Sequence, residues 1–546
     1  MKKIYYILAI VVFSFVSCDD YLNTEPINKV SIKQYYTDEK GLTEALAGVY
    51  DPLGSDALYG QNVFVAYNAC TDEGYLARTA QTTEVQQLSV NNINPTNSEI
   101  ANLWAACFVG INRANDLIAN INLPTMDETK REIILGEALF LRGYYNFLLV
   151  TNFGPIPMKL TPTTNPNDVY TPATPVKEVY EQILKDMTAA ESKVATATSY
   201  GYSSRVSKTV VEGILARVCL QMAGYPLNDT SKYAEALAWS KKVQDSGEHA
   251  LNTTFNAALN VTTGTVRFTN NAYSQIFINA VQDIYDIKES MWEIEFKGDR
   301  TDGYLETGRL GISNGITMTS VTFTPTIGYA YGFIRGTARL YKAYKTGDLR
   351  RDWVLTTFTY NNSTGAKVPI TSTTGYGRDC GKWRREFDPN TNKNKNFGNT
   401  NFPVLRYADV LLMLAESENQ VNGPTANAYD AVNKVRRRGY GLNINVASAV
   451  ADLPAGLSKT DFQLAIENER MLELCFEGTR HMDLIRWGKY VSTMNSIGNE
   501  IATTGGNQAY GGLGGKNVTE RNLLYPIPSL ELSINHNLKQ NELWLN

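Results

Sequence analysis

The chain has 546 residues, of which 43% are hydrophobic and 19% are charged, and its formal net charge is −4. This composition is that of a folded protein long enough to bury a sizeable core. It does not support nucleic-acid binding, because the net charge is negative and the one basic run is Arg436-Arg437-Arg438.

The N-terminus resembles a bacterial lipoprotein signal. Two lysines precede residues 4–16, which are almost wholly apolar. This stretch is shorter than the roughly 20 residues of a membrane-spanning helix and matches the apolar core of a secretory signal, about 7–15 residues. Cleavage after Ser17 would leave Cys18 as an acylated N-terminus, whereas the alternative is a plain signal peptide with an incidental cysteine. We predict a signal at residues 1–17 and a lipidated tether at residues 18–40.

The other cysteines are odd in number and scattered, which is not the pattern of a disulfide framework. Cys107, Cys219 and Cys475 stand among apolar neighbours and are predicted to be buried thiols. Cys70 and Cys380 lie in polar sequence, and we expect no bridge between them. The three histidines are too far apart in sequence for a metal-binding motif. We therefore predict no metal site and no cofactor.

The part of the chain before residue 250 contains a series of amphipathic segments. Apolar residues recur there at every third or fourth position, the spacing of one helix face. The predicted helices are 100–121, 129–150, 176–194, 208–224 and 233–245. Helices of this length joined by short turns predict stacked hairpins of the tetratricopeptide kind, degenerate because no clean 34-residue period is visible.

The remainder of the chain divides into a loop-rich part and a second helical part. Residues 251–400 are rich in Thr, Asn, Gly and Tyr, and one short strand is predicted where Trp292, Ile294 and Phe296 alternate with acids. Helices are predicted again at 403–438 and 461–490. The expected fold is therefore mostly α, a helical-hairpin scaffold at 41–250 and 401–546 with a loop-rich insertion and few short strands. We expect residues 41–546 to form one compact unit.

Several stretches, taken in their joint order, resemble the SusD-like (SusD/RagB) family. They are CDDYLNTEP, GEALFLRGYYNFLLVTNFGPIP, FPVLRYADVLLMLAESEN, AYDAVNKVRRRG, ENERMLELCFEGTRHMDLIRWG and LLYPIPSLELSINHNLKQN. Each stretch alone is a weak pattern, but their order along the chain is specific. The resemblance runs from Cys18 to about Asn541, which is essentially the whole mature chain.

The resemblance implies a non-catalytic binding lipoprotein on the outer face of the outer membrane. Proteins of this family form a lid over a SusC-like TonB-dependent transporter and pass it glycans, or in some branches peptides. By this likeness Cys18 is the lipid anchor and the only membrane contact, and Asp19 and Asp20 resemble the acidic signal for export to the outer face. The expected partners are an oligosaccharide and a SusC-like transporter, with no nucleic acid.

The segment from Glu469 to Arg486 carries many charges at helical spacing. Glu469, Glu473 and Glu477 share one face, and arginines three positions away from acids are placed to pair with them. The predicted partners are Arg470, Arg480 and Arg486 with Glu473, Glu477 and Asp483. We interpret this run as a structural network that holds helices together, not as a catalytic cluster. The same interpretation applies to Arg142, Arg406 and Asp409.

A glycan site needs aromatic ring faces beside polar side chains, and loops usually supply them. The chain has 32 tyrosines, and two regions combine tyrosines with polar residues. The candidates in the first region are Tyr67, Asn68, Asp72, Tyr75 and Arg78. The candidates in the central insertion are Tyr273, Tyr304, Tyr329 and Tyr331.

Two alternatives to oligosaccharide capture stay open at the level of sequence. One is a peptide-binding member of the same family, since the candidate residues would serve a peptide as well. The other is a surface glycoside hydrolase, which needs a pair of carboxyl groups. Glu293 and Glu295 share a strand face, and Asp299 and Asp302 follow closely. Acids in such a position are more often solvated than catalytic.

Overall fold

The computed structural model describes residues 35–62, 69–78, 83–262, 264, 266–298, 307–504 and 511–545. Cys18 and most of the predicted tether lie outside the described residues. Tyr67, Asn68, Tyr304, Asp299 and Asp302 also lie outside them.

Helices make up most of the described chain, as the amphipathic periodicity predicts. In chain order they are α1 Glu39–Tyr50, α2 Glu84–Leu88, α3 Ser98–Asn120, α4 Glu128–Phe153, α5 Val176–Glu191, α6 Ala197–Tyr200, α7 Lys208–Ala223, α8 Lys232–Asp245, α9 Ala272–Gln282, α10 Leu310–Asn314, α11 Ala338–Ala343, α12 Arg351–Val354, α13 Tyr407–Asn422, α14 Ala426–Gly439, α15 Lys459–Leu474, α16 Arg480–Arg486, α17 Tyr490–Ala502, α18 Leu513–Asn517 and α19 Ser529–Ile534. A π-helical turn, Asp56–Gly60, follows the 3-10 turn Asp51–Gly54.

The longest helix, α4, shows how local sequence sets the boundaries. The Asp127 side chain accepts a hydrogen bond from the backbone N–H of Lys130 at 3.0 Å, which caps the first turn. The helix ends at Phe153 and is followed by Gly154, whose φ of +73° is readily adopted only by glycine. By length and apolarity α4 could cross a membrane, but 83% of its most apolar 18-residue stretch is buried inside the protein. It is therefore a core helix.

The long helices pack one on the next to form the scaffold. Helix α3 packs on α4, α4 on α5, α5 on α7, α7 on α8, and α8 on α13, which also contacts α14 and α15. The hydrophobic core built between them draws residues from Tyr36 to Leu538. The prediction of a mostly helical scaffold with few short strands is confirmed.

The described strands form two-stranded antiparallel sheets. The strands are β1 Gly74–Leu76, β2 Ser290–Ile294, β3 Ile334–Gly336, β4 Phe358–Tyr360, β5 Lys367–Pro369 and β6 Phe402–Arg406, paired as β1–β3, β2–β6 and β4–β5. Strand β2 confirms the predicted strand around Trp292. The helix predicted from residue 403 is wrong at its start, because residues 402–406 form β6. Pro403 cannot donate a helical hydrogen bond, and every residue of this strand is buried.

The buried charges form a structural network, as predicted, but most partners differ from the predicted ones. Glu473 accepts hydrogen bonds from the guanidinium groups of Arg350 and Arg406, each at 3.0 Å, and from Arg438. All four side chains have no exposed area. Because these residues come from distant parts of the chain, the network joins the insertion to the C-terminal helices.

The arginines of the C-terminal run show the same difference. Arg470 pairs with Asp409 at 2.6 Å and Asp483 at 2.7 Å, not with Glu473. Arg480 pairs with Asp72 at 2.9 Å, not with Glu477. Arg486 does pair with Asp483, at 2.8 Å, as its spacing predicts. Helical spacing gave the local pair but not the long-range ones.

The cysteines within the described residues are buried free thiols. This confirms the prediction for Cys107, Cys219 and Cys475. Cys70 and Cys380, which lie in polar sequence, are buried as well and form no bridge. Burial raises the pKa of each of these two thiols to about 12, so both are protonated and unreactive at neutral pH.

Candidate functional site

A row of three aromatic rings lies on the segment that leads into strand β3. Tyr329, Tyr331 and Phe333 alternate with small residues, so their side chains point to the same side of an extended chain. The ring centroids of Tyr329 and Tyr331 are 5.0 Å apart, and those of Tyr331 and Phe333 are 5.0 Å apart with planes at 7°. All three rings are partly exposed. They form an aromatic row, the name used below for these three residues.

Backbone hydrogen bonds hold the aromatic row in place. The N–H of Tyr331 donates to the carbonyl of Ile312 at 2.7 Å, and the N–H of Phe333 donates to Ser313 at 2.8 Å. Strand β3 then pairs with β1, which carries the chain to Arg78. The row is therefore positioned by α10 on one side and by the β1–β3 sheet on the other.

Arg78 lies against the last ring of the row. Its guanidinium carbon is 4.4 Å from the centroid of Phe333, a cation–π distance. The same group donates hydrogen bonds to the carbonyl of Tyr331 at 2.8 Å and to that of Ala77 at 2.7 Å. Burial lowers the pKa of Arg78, with the cation of Arg335 acting in the same direction. An arginine keeps its charge even so and brings a fixed positive group to the row.

A cleft of about 650 Å³, lined by both apolar and polar residues, opens beside Phe333. Its volume lies in the roughly 300–1,000 Å³ range of small-molecule sites. Its polar lining residues are Ser55, Asp56, Gln61, Asn62, Thr83, Gln86, Glu99, Asn102 and Arg309. We call it the first cleft. It offers hydrogen-bond donors and acceptors beside the ring of Phe333, the member of the aromatic row that lines it.

Hydrogen bonds between lining residues order the first cleft. Asn62 donates to the carboxylate of Glu99, and Arg309 donates to the side-chain oxygen of Gln61 at 2.5 Å. Burial raises the pKa of Glu99, and the nearby carboxylates of Glu84 and Asp56 add to that shift. A carboxyl group in this setting accepts hydrogen bonds readily and is a candidate partner for a ligand hydroxyl.

The structure brings three of the predicted site residues together: Arg78, Tyr329 and Tyr331. It places Asp72, Tyr75 and Tyr273 inside the protein, with 3%, 1% and 0% of their surface exposed. Asp72 is paired with Arg480, and the Tyr273 hydroxyl donates to the carbonyl of Glu473 at 3.1 Å. None of these buried three presents a ring face or carboxylate to the cleft. Tyr67, Asn68 and Tyr304 lie outside the described residues.

The sequence analysis missed Phe333 and the polar residues of the first cleft. Phe333 follows Tyr331 at the same two-residue step as Tyr331 follows Tyr329, and that alternation would have found it. Asn102 and Glu99 lie on α3, and Arg309 lies more than two hundred positions away. No local pattern connects such residues.

Comparison with known proteins identifies the family. Residues 288–544 match the model of the SusD family, and residues 20–220 match a related model described as starch-binding associating with outer membrane. The chain belongs to the SusD family. The description of the second model associates its members with the outer membrane. The resemblance found in the sequence motifs is confirmed.

Relatives and solved structures agree with this SusD-family assignment. SusD-like protein P2 of Formosa agariphila is 23% identical over 99% of both chains. A crystal structure of a SusD homolog from Bacteroides thetaiotaomicron has a TM-score of 0.83 and 28% identity, covering 94% of this chain and 98% of that one. Surface glycan-binding protein A from Bacteroides thetaiotaomicron, in complex with laminarihexaose, has a TM-score of 0.70 and 20% identity, covering 92% and 100%. The SusD fold of this chain is thereby established.

Proposed function

We propose that this SusD-family protein captures oligosaccharides at the cell surface and delivers them to a SusC-like TonB-dependent transporter, without catalysis. The observation that carries the proposal is the aromatic row beside the first cleft. Ring faces bind the apolar faces of sugars, and the polar lining bonds their hydroxyls. Several proteins of this fold are described as glycan- or laminarin-binding.

The cellular part of the proposal rests on the N-terminus. The signal-like segment ends at Cys18, and acylation there would anchor the protein, since each buried methylene contributes about 0.8 kcal/mol. Asp19 and Asp20 support export to the outer face by their likeness to the family signal. The transporter partnership follows from the family alone.

The hydrolase alternative centres on Glu293 and Glu295, which both line a cleft described below. Glu293 is buried, contrary to the expectation that these acids are solvated, and burial raises its pKa to about 7. Both of its oxygens accept hydrogen bonds inside the protein, one from Ser290 and one from Asn401 at 3.1 Å. These internal partners favour a structural role for Glu293 over a catalytic one.

Calorimetry of the mature protein against neutral hexasaccharides and oligopeptides tests the proposal. The sugars would be laminari-, cello-, malto- and xylohexaose. We expect binding to one sugar class with no new reducing ends after prolonged incubation. Tyr331→Ala and Phe333→Ala should each weaken binding about tenfold or more, since losing one stacked ring removes on the order of 1.4 kcal/mol.

Tyr170→Ala is the matched control, because Tyr170 is 45% exposed and lines none of the clefts considered. It should bind like the wild type. A binding heat with oligopeptides and none with any sugar would show that the protein belongs to the peptide-binding branch of the family. Release of reducing ends, abolished by Glu293→Gln, would instead establish the hydrolase.

A further inference from the structure

A second cleft, of about 770 Å³, lies apart from the first one. Its charged lining residues are Asp51, Arg205, Asp283, Glu293, Glu295 and Lys297. We call it the second cleft. The second cleft reaches Gly54 and the first begins at Ser55, so the short turns Asp51–Gly54 and Asp56–Gly60 separate them.

A second row of aromatic rings starts at Tyr285, which lines this cleft, and continues outside the lining to Tyr202 and Tyr200. The centroids of Tyr200 and Tyr202 are 6.0 Å apart, and those of Tyr202 and Tyr285 are also 6.0 Å apart. Tyr285 lines the cleft and has 44% of its surface exposed. The planes of successive rings are inclined by 44° and 51°, and the Arg205 guanidinium lies 4.7 Å from the centroid of Tyr200.

The wall of the second cleft is held by a buried carboxylate. Glu137 has no exposed side-chain area, and it accepts hydrogen bonds from the hydroxyls of Tyr50 at 2.6 Å and Tyr200 at 2.8 Å. Arg205 also donates to it, at 3.1 Å through Nε. These contacts fix two tyrosines and an arginine before any ligand arrives, as in the largely pre-formed sites that bind small molecules.

The charges of the second cleft indicate which ligand it accepts. Its carboxylates outnumber its cations; Arg205 is paired with Glu137, and Asp51 is paired with Arg113 at 2.7 Å. This balance disfavours an anionic ligand such as a phosphate or a nucleic acid. A neutral sugar avoids this cost, stacks on tyrosine and donates its hydroxyls to carboxylate oxygens such as those of Glu295.

We propose that the second cleft, with Tyr200, Tyr202 and Tyr285, is a second binding site for a neutral oligosaccharide. The ligand class rests on the proposed function of the first cleft, but the site is separate from it. Two sites on one anchored protein would hold a long glycan with an avidity above that of either site alone. The protein would then retain a polysaccharide while shorter pieces exchange.

Calorimetry with the same hexasaccharides tests this proposal by stoichiometry. The mature wild-type protein should bind two equivalents of its sugar. The double variant Tyr202→Ala/Tyr285→Ala should lose one equivalent, or weaken it at least tenfold, and keep the other. The variant Tyr331→Ala/Phe333→Ala should lose the complementary equivalent. Tyr170→Ala, a tyrosine of equal exposure away from both rows, should keep both.

The outcomes separate this proposal from the proposed function. One equivalent that survives Tyr202→Ala/Tyr285→Ala unchanged and is lost in Tyr331→Ala/Phe333→Ala would overturn the second site and leave the first standing. If the wild-type protein gives no binding heat with any of the sugars, both the proposed function and the second site are overturned. A crystal structure of the wild-type protein soaked with the bound hexasaccharide gives an answer without any variant: sugar density along Tyr202 and Tyr285 supports the site, and density confined to the aromatic row refutes it.

Discussion

Buried ionisable residues in this protein take charge states that depend on their immediate neighbours. Burial raises the pKa of Glu473, but Arg438, Arg406 and Arg350 more than offset this and lower it to about 2. Glu293 is buried among neutral hydrogen-bond donors, and burial raises its pKa to about 7. Glu473 therefore stays ionised at neutral pH, whereas Glu293 titrates near pH 7. The sequence around each glutamate does not distinguish them.

His481 should make the protein less stable in mild acid. It is 7% exposed, its ring packs edge-on against Tyr490 at 4.6 Å, and burial lowers its pKa to about 4 from 6.5. The unfolded chain binds a proton on this residue between those two values while the folded chain does not. Stability is therefore full above pH 6.5 and is lost as pH falls to 4, by roughly 3 kcal/mol for this residue. Denaturant unfolding of His481→Gln across this range should show a shallower dependence on pH.

The quantity to compare is the slope of the free energy of unfolding against pH. The absolute stabilities of the two proteins also differ, because the substitution removes packing contacts of the His481 ring. His249 is buried and has a lowered pKa too, so some dependence should persist in the variant. His536 is exposed, and His536→Gln should leave the profile of the wild type unchanged. Parallel profiles for the wild type and His481→Gln would contradict the prediction.

At the scale of elements, periodicity predicted the long helices of the scaffold to within a few residues. Helices α3, α4, α5, α7 and α8 all appear where the apolar spacing places them. It failed at β6, because an apolar run buried on all sides carries no period that separates strand from helix. Helices α1, α9 and α17 were also missed, and α9 lies in a stretch whose composition predicts loops. The apolar periodicity also does not predict how closely two helices approach each other.

Gly110 marks such a close approach between α3 and α4. A Cβ atom there would lie 2.3 Å from the ring of Tyr145, which is fully buried and donates its hydroxyl to Val49 at 2.7 Å. The ring has no room to move, so Gly110→Ala should lower the free energy of unfolding by roughly 1–3 kcal/mol despite the better helix propensity of alanine. Thermal or denaturant unfolding measures this.

Gly48 provides the matched control. It lies within α1, and a Cβ atom added to it meets nothing within 4 Å. Gly48→Ala should be neutral or raise stability by up to about 1 kcal/mol, the usual gain of alanine over glycine in a helix. Equal effects of the two substitutions would show that helix contact is not what requires glycine at position 110.

At the scale of the whole molecule, the first and second clefts lie on opposite sides of one short segment of the helical scaffold. Residues 51–60 separate them, while their aromatic rows come from residues 200–285 and 329–333. Helices and buried ion pairs keep these distant parts in fixed positions. Clefts fixed in this way would let the proposed capture proceed without a large rearrangement of the scaffold.

The anchor prediction belongs to this scale, because it decides where the folded protein resides. Cys18→Ala removes the sulfur that would carry the lipid, so the protein should leave the membrane fraction or accumulate unprocessed. Cell fractionation with immunodetection measures both results. Ser14→Ala, in the same signal segment, keeps the cysteine and should fractionate like the wild type. Retention of Cys18→Ala in the membrane at wild-type levels would refute the anchor.

The sequence by itself determined the helical class, the order of the long helices and the family. These are set by local spacing and by motifs that need no distant contact. The tertiary structure alone decided which tyrosines face solvent. Tyr273 and Tyr331 both stand in polar, loop-like sequence, yet one is fully buried against the C-terminal network and the other lies in the aromatic row. The physical reason is that a side chain's exposure depends on which remote segment packs over it, and periodicity reports only the residue's own element.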